Sequence, residues 1–201
     1  MGGRVAAATI VLAIAAGSGT AATRQARPPL TIIGDSVAAS LQYPNADRYL
    51  RRRFRLALDA KVCRRLVAAS CPYNGVLAPS ALKAIRESGP QPGSTVVIDV
   101  GYNDSASTYG RDLDRVMRAL RADGVPSVVW LTLRHYGSVR RGWINALIRE
   151  ARDRWPELYV ADWNAWSRGH RSWFIYDGMH LNRTGALGLA RLIQRAVLAS
   201  S

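Results

Sequence analysis

The chain has 201 residues, 48% of them apolar, and a formal net charge of +14 carried almost wholly by arginine, with lysine only at Lys61 and Lys83. That length suits one compact domain; a division would leave neither part enough buried surface, and no Pro/Gly/Ser-rich linker splits the sequence. The charge suits polyanionic surfaces such as anionic lipid or acidic wall polymers, but the clusters at Arg51-Arg52-Arg53 with Arg55 and at Arg140-Arg141 lack interleaved aromatics, so no nucleic-acid partner is expected.

Residues 1–22 read as a signal peptide. Arg4 supplies a positive start, Val5 to Ala16 is apolar, and small residues follow to Ala22, the pattern of a cleavable export signal. The apolar run is shorter than the ~20 residues that span a bilayer, so no stable membrane span is expected once it is cut; retention as an anchor is the alternative. Residues 23–29 read as a flexible lead-in, and residues 30–201 as the folded domain.

Strand and helix patterns alternate from there. Leu30 to Ile33 is an apolar strand ended by Gly34, and a helical stretch runs to about Phe54, interrupted or restarted at Pro44. Arg55 to Val62 is a second strand. Cys63 and Cys71 are the only cysteines; in an exported chain such a pair closing a short loop is most simply a disulfide, contributing roughly 2–3 kcal/mol. A metal site would need further soft ligands that no usable spacing supplies. Pro79 to Ser88 is helical, and Thr95 to Val100 reads as a strand buried on both faces. A helix over Asp112–Ala122, a strand over Ser127–Leu133, a helix over Val139–Trp155 and a short strand over Leu158–Ala161 follow. Thr184 is positioned to cap a last helix from Gly185 to about Leu198. This alternation predicts an α/β domain, a parallel sheet of five strands with helices on both faces, and such sheets bind ligands at the carboxyl ends of their strands.

Three segments converge on that edge: Gly34-Asp35-Ser36-Val37 after the first strand, Gly101-Tyr102-Asn103-Asp104 after the third, and Asp177-Gly178-Met179-His180-Leu181 before the last helix. A serine hydroxyl becomes a nucleophile only when a base takes its proton, and neutral imidazole, with an unperturbed pKa of roughly 6.5, does so near neutral pH. Ser36 and His180 fit those roles. Asp177 fits the carboxylate that accepts the other ring N–H and fixes the tautomer. Asn103 offers an N–H donor to the oxyanion of a tetrahedral intermediate, and the Ser36 backbone N–H is a second donor. Taken singly, each has a plainer role: Ser36 a helix cap, Asn103 a turn residue, Asp177 a cap, and His180 a surface histidine like His135 and His170. Asp35 reads as a structural residue fixing its loop. Trp163, Trp166, Trp173 and Tyr176 crowd the approach to His180, either as core filler or as faces that stack on sugar rings.

Gly34-Asp35-Ser36, Gly101-x-Asn103-Asp104 and Asp177-x-x-His180, in that order, resemble blocks I, III and V of the SGNH/GDSL hydrolase superfamily. The run from Asp177 to Leu181 followed by Gly185, with Asp162-Trp163, is similar to the SGNH domains of polysaccharide and peptidoglycan O-acyltransferases. The resemblance implies a flavodoxin-like three-layer α/β/α sandwich, a Ser-His-Asp triad of Ser36, His180 and Asp177, and an acyl-enzyme intermediate. The sequence holds no His-Glu-x-x-His zinc site, P-loop or Rossmann glycine pattern, so no metal or other cofactor is expected. The family's block II glycine, whose N–H joins the oxyanion hole, has no clear match. Cys63-Arg64 occupies its place, so the Arg64 backbone N–H is the expected third donor. Tyr102, Met179 and Trp173 flank these segments as expected substrate contacts. The reading is a secreted or cell-envelope esterase for O-acyl, chiefly O-acetyl, esters, acting as a monomer on an acylated carbohydrate or cell-wall polymer. Its rivals are a cell-wall polysaccharide O-acyltransferase, a lipase or thioesterase of the same fold, and a catalytically silent module for anionic cell-surface polymers.

Overall fold

The computed structural model describes residues 1–3 and 26–200, so the expected signal segment lies almost wholly outside the described residues. Five parallel strands form one sheet: β1 (Pro29–Gly34), β2 (Arg55–Ala60), β3 (Thr95–Asp99), β4 (Ser127–Leu131) and β5 (Leu158–Ala161). Their spatial order is β2-β1-β3-β4-β5, parallel throughout. This is the flavodoxin-like order, with its reversal between β1 and β3. Every residue of β4 is buried, as are the last four of β3; both faces of the sheet are therefore covered, which explains their unbroken apolar runs.

The helices form two groups. The helices α1 (Pro44–Arg53), α5 (Trp163–Trp166) and α6 (Arg183–Ala199) pack together, as do α2 (Ala81–Ser88), α3 (Ala106–Ala122) and α4 (Val139–Glu150). Leu50, Leu113, Val116, Met117, Ile144, Leu189 and Ile193 turn inward from these helices and are fully buried. No helix among the described residues is long and apolar enough to cross a membrane.

Several boundaries differ from the sequence reading, each for a local reason. The lead-in is pinned at its end, because the Pro28 carbonyl accepts the Arg55 amide at 2.9 Å and Pro29 already belongs to β1. The stretch before α1 is a 3-10 turn, Ala38–Gln42, and α1 restarts at Pro44. Helix α3 begins at Ala106, not Asp112; its first turns are Ser, Thr and Gly without an apolar stripe, but Tyr109 is buried there and donates to the Val100 carbonyl at 2.7 Å. Helix α4 ends at Glu150 and passes into a 3-10 turn, Ala151–Asp153. Helix α6 begins at Arg183, and its cap is Asn182 rather than Thr184. The Asn182 side chain accepts the Thr184 and Gly185 amides at 3.0 and 3.1 Å. A hairpin of Pro72–Tyr73 and Val76–Leu77 was not anticipated; Asn74 and Gly75 at its tip have φ of 49° and 75°, the type I′ geometry that an Asn-Gly pair favours. It follows directly on a disulfide between Cys63 and Cys71, whose Cα atoms are 5.3 Å apart.

Candidate active site

Where strand order reverses, the chain leaves β1 toward β2 and returns to β3 on its other side, which opens a crevice at the carboxyl ends of β1 and β3. Gly34 ends β1 there because nothing larger fits: a Cβ would sit 2.1 Å from the Ala38 Cβ and 3.3 Å from the Asp99 carbonyl oxygen. Asp35 follows, fully buried. Its Oδ1 accepts the Val37 amide at 3.0 Å, and its Oδ2 accepts the Gly101 and Tyr102 amides at 3.3 and 3.2 Å. One carboxyl group thus ties the loop carrying Ser36 to the loop carrying Asn103, the structural role its sequence suggests.

Burial pushes the Asp35 carboxyl up to about 6 despite those three amides, and it raises neighbouring Asp99 as well, with Asp35 adding repulsion. Asp104 is raised to about 6, again mainly by burial and against the Leu66 amide that its Oδ1 accepts at 3.0 Å. Such a group binds its proton more tightly in the folded than in the unfolded chain. Its contribution to stability is full below the ordinary value of 3.8 and is lost as pH rises through about 6. Asp104→Asn keeps the Oδ1 acceptor and removes the titration. Its urea midpoint, relative to the parent, is therefore expected to be higher at pH 8 than at pH 4. A midpoint difference equal at both pH values would remove Asp104 from this linkage.

Ser36 and His180 meet across the crevice, 144 residues apart in sequence. The Ser36 Oγ lies 2.9 Å from His180 Nε2, and His180 Nδ1 lies 2.6 Å from Asp177 Oδ2. An ionised carboxylate can only accept, so Nδ1 carries the hydrogen and Nε2 is left to accept from the serine. Asp177 Oδ1 accepts the Met179 and His180 amides, each at 2.9 Å. Partial burial acts to raise the Asp177 carboxyl, but the His180 ring and the two amides outweigh it and hold the group below the usual carboxylate range. Gly178, with φ of 68°, gives the tight turn its left-handed step.

Arg134, just beyond β4, holds this turn from beneath. Its buried guanidinium donates to the Gly178 and Ser167 carbonyls at 3.0 and 2.9 Å and lies 3.8 Å over the Phe174 ring. Sequence reasoning passes over Arg134 because an arginine after a strand in so basic a chain carries no distinguishing signal.

The Asn103 Nδ2 donates to the Arg64 carbonyl at 3.2 Å, which draws the loops after β2 and β3 together. Arg64 is otherwise a structural residue. Its side chain is fully buried on the Pro79 and Asp59 carbonyls and the Asp59 carboxylate, and its own amide donates to the Lys61 carbonyl at 3.3 Å. That engagement takes away the N–H expected from Arg64 as the third oxyanion donor. Tyr102 is also turned inward: its ring is buried and its hydroxyl accepts the Arg134 amide at 2.8 Å, so it shapes the loop rather than meeting a substrate. Met179 is half-buried, with the Arg141 guanidinium 3.4 Å from its sulfur. Trp173 is stacked between Trp163 and His170, at ring separations of 6.0 and 3.8 Å. Trp163 is fully buried and Trp166 packs on the core, while Tyr176 is fully exposed. No cluster of three or more His, Cys, Asp or Glu is placed to hold a metal ion among the described residues.

A cavity of about 390 Å³ opens beside the serine, lined by Ser36, Ala39, Ser40, Gln42, Tyr43, Ile175, His180 and Leu181. Tyr43 and Ile175, both partly exposed, are site residues that sequence reasoning missed. A larger cleft of about 530 Å³ lies at the opposite rim, where β1 and β2 begin, bordered by Arg27, Arg51 and Arg55. It contains none of the three hydrogen-bonded residues, and the smaller cavity is where chemistry is possible.

Strand order and helix placement together define the fold, an α/β fold that the chain shares with solved esterase structures. No protein-family model matches the chain. Among solved structures it is similar to TesA, with a TM-score of 0.63 and 15% identity over 86% of this chain and 99% of that one. It is likewise similar to a carbohydrate acetylesterase family member from Sinorhizobium meliloti, with a TM-score of 0.64 and 13% identity over 86% and 98% of the two chains. In sequence it resembles the O-acetyltransferase OatA of Staphylococcus aureus, 26% identical over 166 residues, or 83% of this chain. The chain spans about a quarter (24%) of the length of that curated relative.

Proposed function

We propose that the chain is an exported serine esterase that cleaves O-acyl, chiefly O-acetyl, esters of carbohydrates. The observation that carries the reading is the hydrogen-bonded line Ser36–His180–Asp177, open to a cavity at its serine end. Ser36 Oγ attacks the ester carbonyl carbon while His180 Nε2 takes its proton. The negative charge that develops on the carbonyl oxygen is met by the Ser36 backbone N–H and by Asn103. His180 then returns the proton to the departing alcohol, leaving an acyl-Ser36 ester. Water, or a sugar hydroxyl, attacks that ester in the second half of the cycle; the first outcome is hydrolysis and the second is acyl transfer.

Four further observations support parts of this reading. Small side chains, Ala39 and Ser40, line the cavity beside the serine, which suits a short acyl group. The named activities of the acetylesterase and O-acetyltransferase relatives suit an acetylated carbohydrate. A positive, apolar N-terminal sequence together with a disulfide suits an oxidising, extracytoplasmic setting. The exposed arginines at the far rim suit an acidic cell-surface polymer as the wider partner. The test is labelling by a fluorophosphonate followed by intact-mass and peptide analysis. One adduct on Ser36 is expected. An intact protein that stays unlabelled while a known serine esterase reacts would overturn the reading.

A further inference from the structure

We propose that Tyr136, Arg140 and Arg141 form a subsite beside the triad that binds an acidic sugar of the substrate, its ring on Tyr136 and its carboxylate on the two guanidinium groups. The proposal rests on the esterase reading above and names the class of polymer that the site takes.

Tyr136 stands in a turn to which it is poorly suited. Residues 135–138 form a turn closed by the Ser138 amide on the His135 carbonyl at 2.9 Å, and Tyr136 and Gly137 at its centre have φ of 38° and 76°. Positive φ at both central positions is the type I′ pattern, which favours Asn, Asp or Gly. A tyrosine there is strained and persists only where its surroundings hold it. The His135 amide donates to Asn164 Oδ1 at 2.8 Å, and the His135 carbonyl also accepts Arg141 Nε at 3.1 Å. The Tyr136 ring lies against Gly178, where a Cβ would come within 2.6 Å of it, and the Arg134 guanidinium carbon is 5.1 Å from its centre. Gly178 directly follows Asp177, so the ring rests on the triad turn itself. Even so, Tyr136 stays 52% exposed. Packing alone asks for a buried ring. A strained turn that keeps the ring half in solvent presents an aromatic face, and such a face can stack on the apolar side of a sugar.

Two cations border the same turn. Arg141 Nη1 lies 3.4 Å from the sulfur of Met179, the residue before His180. Arg140 Nη2 donates to the Tyr102 carbonyl at 2.8 Å and Nη1 to the Asp104 carbonyl, the two carbonyls that flank Asn103. One guanidinium therefore borders the triad histidine and the other the oxyanion donor. Neither pairs with a carboxylate among the described residues; the Asp104 carboxyl accepts the Leu66 amide instead. Elsewhere the arginines of this chain do find acids, as Arg121 finds Glu157, Arg149 finds Asp162 and Arg154 finds Asp114. Burial above all, with repulsion from Arg140 added, holds the Arg141 guanidinium below its ordinary value. A bound anion relieves that repulsion, and the guanidinium fork matches a carboxylate in two parallel hydrogen bonds.

The test measures kcat/KM for acetate release from O-acetylated oligogalacturonides and from the same oligomers with every carboxylate methyl-esterified, alongside 4-nitrophenyl acetate. Every unit of the first probe is acidic, so the position of its acetyl group does not decide the outcome. The acidic oligomer is expected to be at least tenfold better than its methyl ester at low salt, an advantage that shrinks at least threefold in about 0.5 M sodium chloride. Arg141→Gln is expected to cost the acidic oligomer at least tenfold more than the methyl ester, while Arg141→Lys, which keeps the charge, retains most of the preference. Tyr136→Ala is expected to cost both oligomers at least fivefold more than 4-nitrophenyl acetate, which has no sugar to stack. Circular dichroism and melting temperature check that each variant is folded. A parent that turns over 4-nitrophenyl acetate through Ser36 but treats the two oligomers alike, or releases acetate from neither, would overturn the proposal and leave the esterase reading standing. So would a folded Arg141→Gln protein with equal losses on both oligomers. A parent with no Ser36-dependent turnover on any of the three would overturn both.

Discussion

Ser36→Ala lowers kcat for 4-nitrophenyl acetate by roughly 10⁴-fold or more, the scale seen when a serine nucleophile acting with its histidine is removed. KM is expected to change little, since the cavity walls at Ala39, Tyr43, Ile175 and Leu181 are untouched. The fold should tolerate the change. Ser36 is only part-buried and its hydroxyl has the His180 ring as its partner, so truncation strands no deeply buried group. A melting temperature within a few degrees of the parent is therefore the companion result. Loss of activity with loss of fold would say nothing about chemistry, so both measurements are made on the same preparation. A folded Ser36→Ala protein with parental turnover would place the nucleophile elsewhere.

That the loops carrying Ser36, Asn103 and His180 gather at one edge is legible in the sequence, and the reason is the sheet. Each lies a fixed short distance beyond an apolar run or before a capped helix, and parallel strands deliver such loops to one edge whatever lies between them. Asp35 is legible for the same reason, as a carboxyl immediately after a buried strand with loop amides to satisfy. Contacts made without periodicity are not legible. The Arg64 amide donates to the Lys61 carbonyl, a turn contact that no spacing of residue types marks. Tyr102 faces inward because the Arg134 amide needs its hydroxyl, and an adjacent polar loop residue gives no hint of that. Tyr43 and Ile175 reach the cavity from the stretches just after Ser36 and just before His180, each as a single partly exposed side chain outside any apolar stripe. The tryptophans stay ambiguous in sequence because packing and sugar stacking ask for the same residue. Only burial separates them, and it assigns Trp163 and Trp173 to each other.

Asp177→Asn is expected to cost about 10³- to 10⁴-fold in kcat near pH 7, and the local hydrogen bonds show why so conservative a change is severe. Two backbone amides, of Met179 and His180, point at Oδ1. An asparagine must therefore keep its oxygen there, because an NH₂ group would face two donors. Its nitrogen is then forced into the Oδ2 position, 2.6 Å from His180 Nδ1 in the parent. That NH₂ is a donor, so Nδ1 becomes an acceptor and the ring hydrogen moves to Nε2. An Nε2–H facing Ser36 cannot take the serine proton, which is the basis of losses of this size when a triad aspartate is replaced by asparagine. The ¹⁵N signal of Nε2 is expected to move from the acceptor-type to the protonated-type range, together with the fall in kcat and little change in KM. Turnover within tenfold of the parent, with Nε2 still an acceptor, would show that Asp177 is not what sets the tautomer of His180.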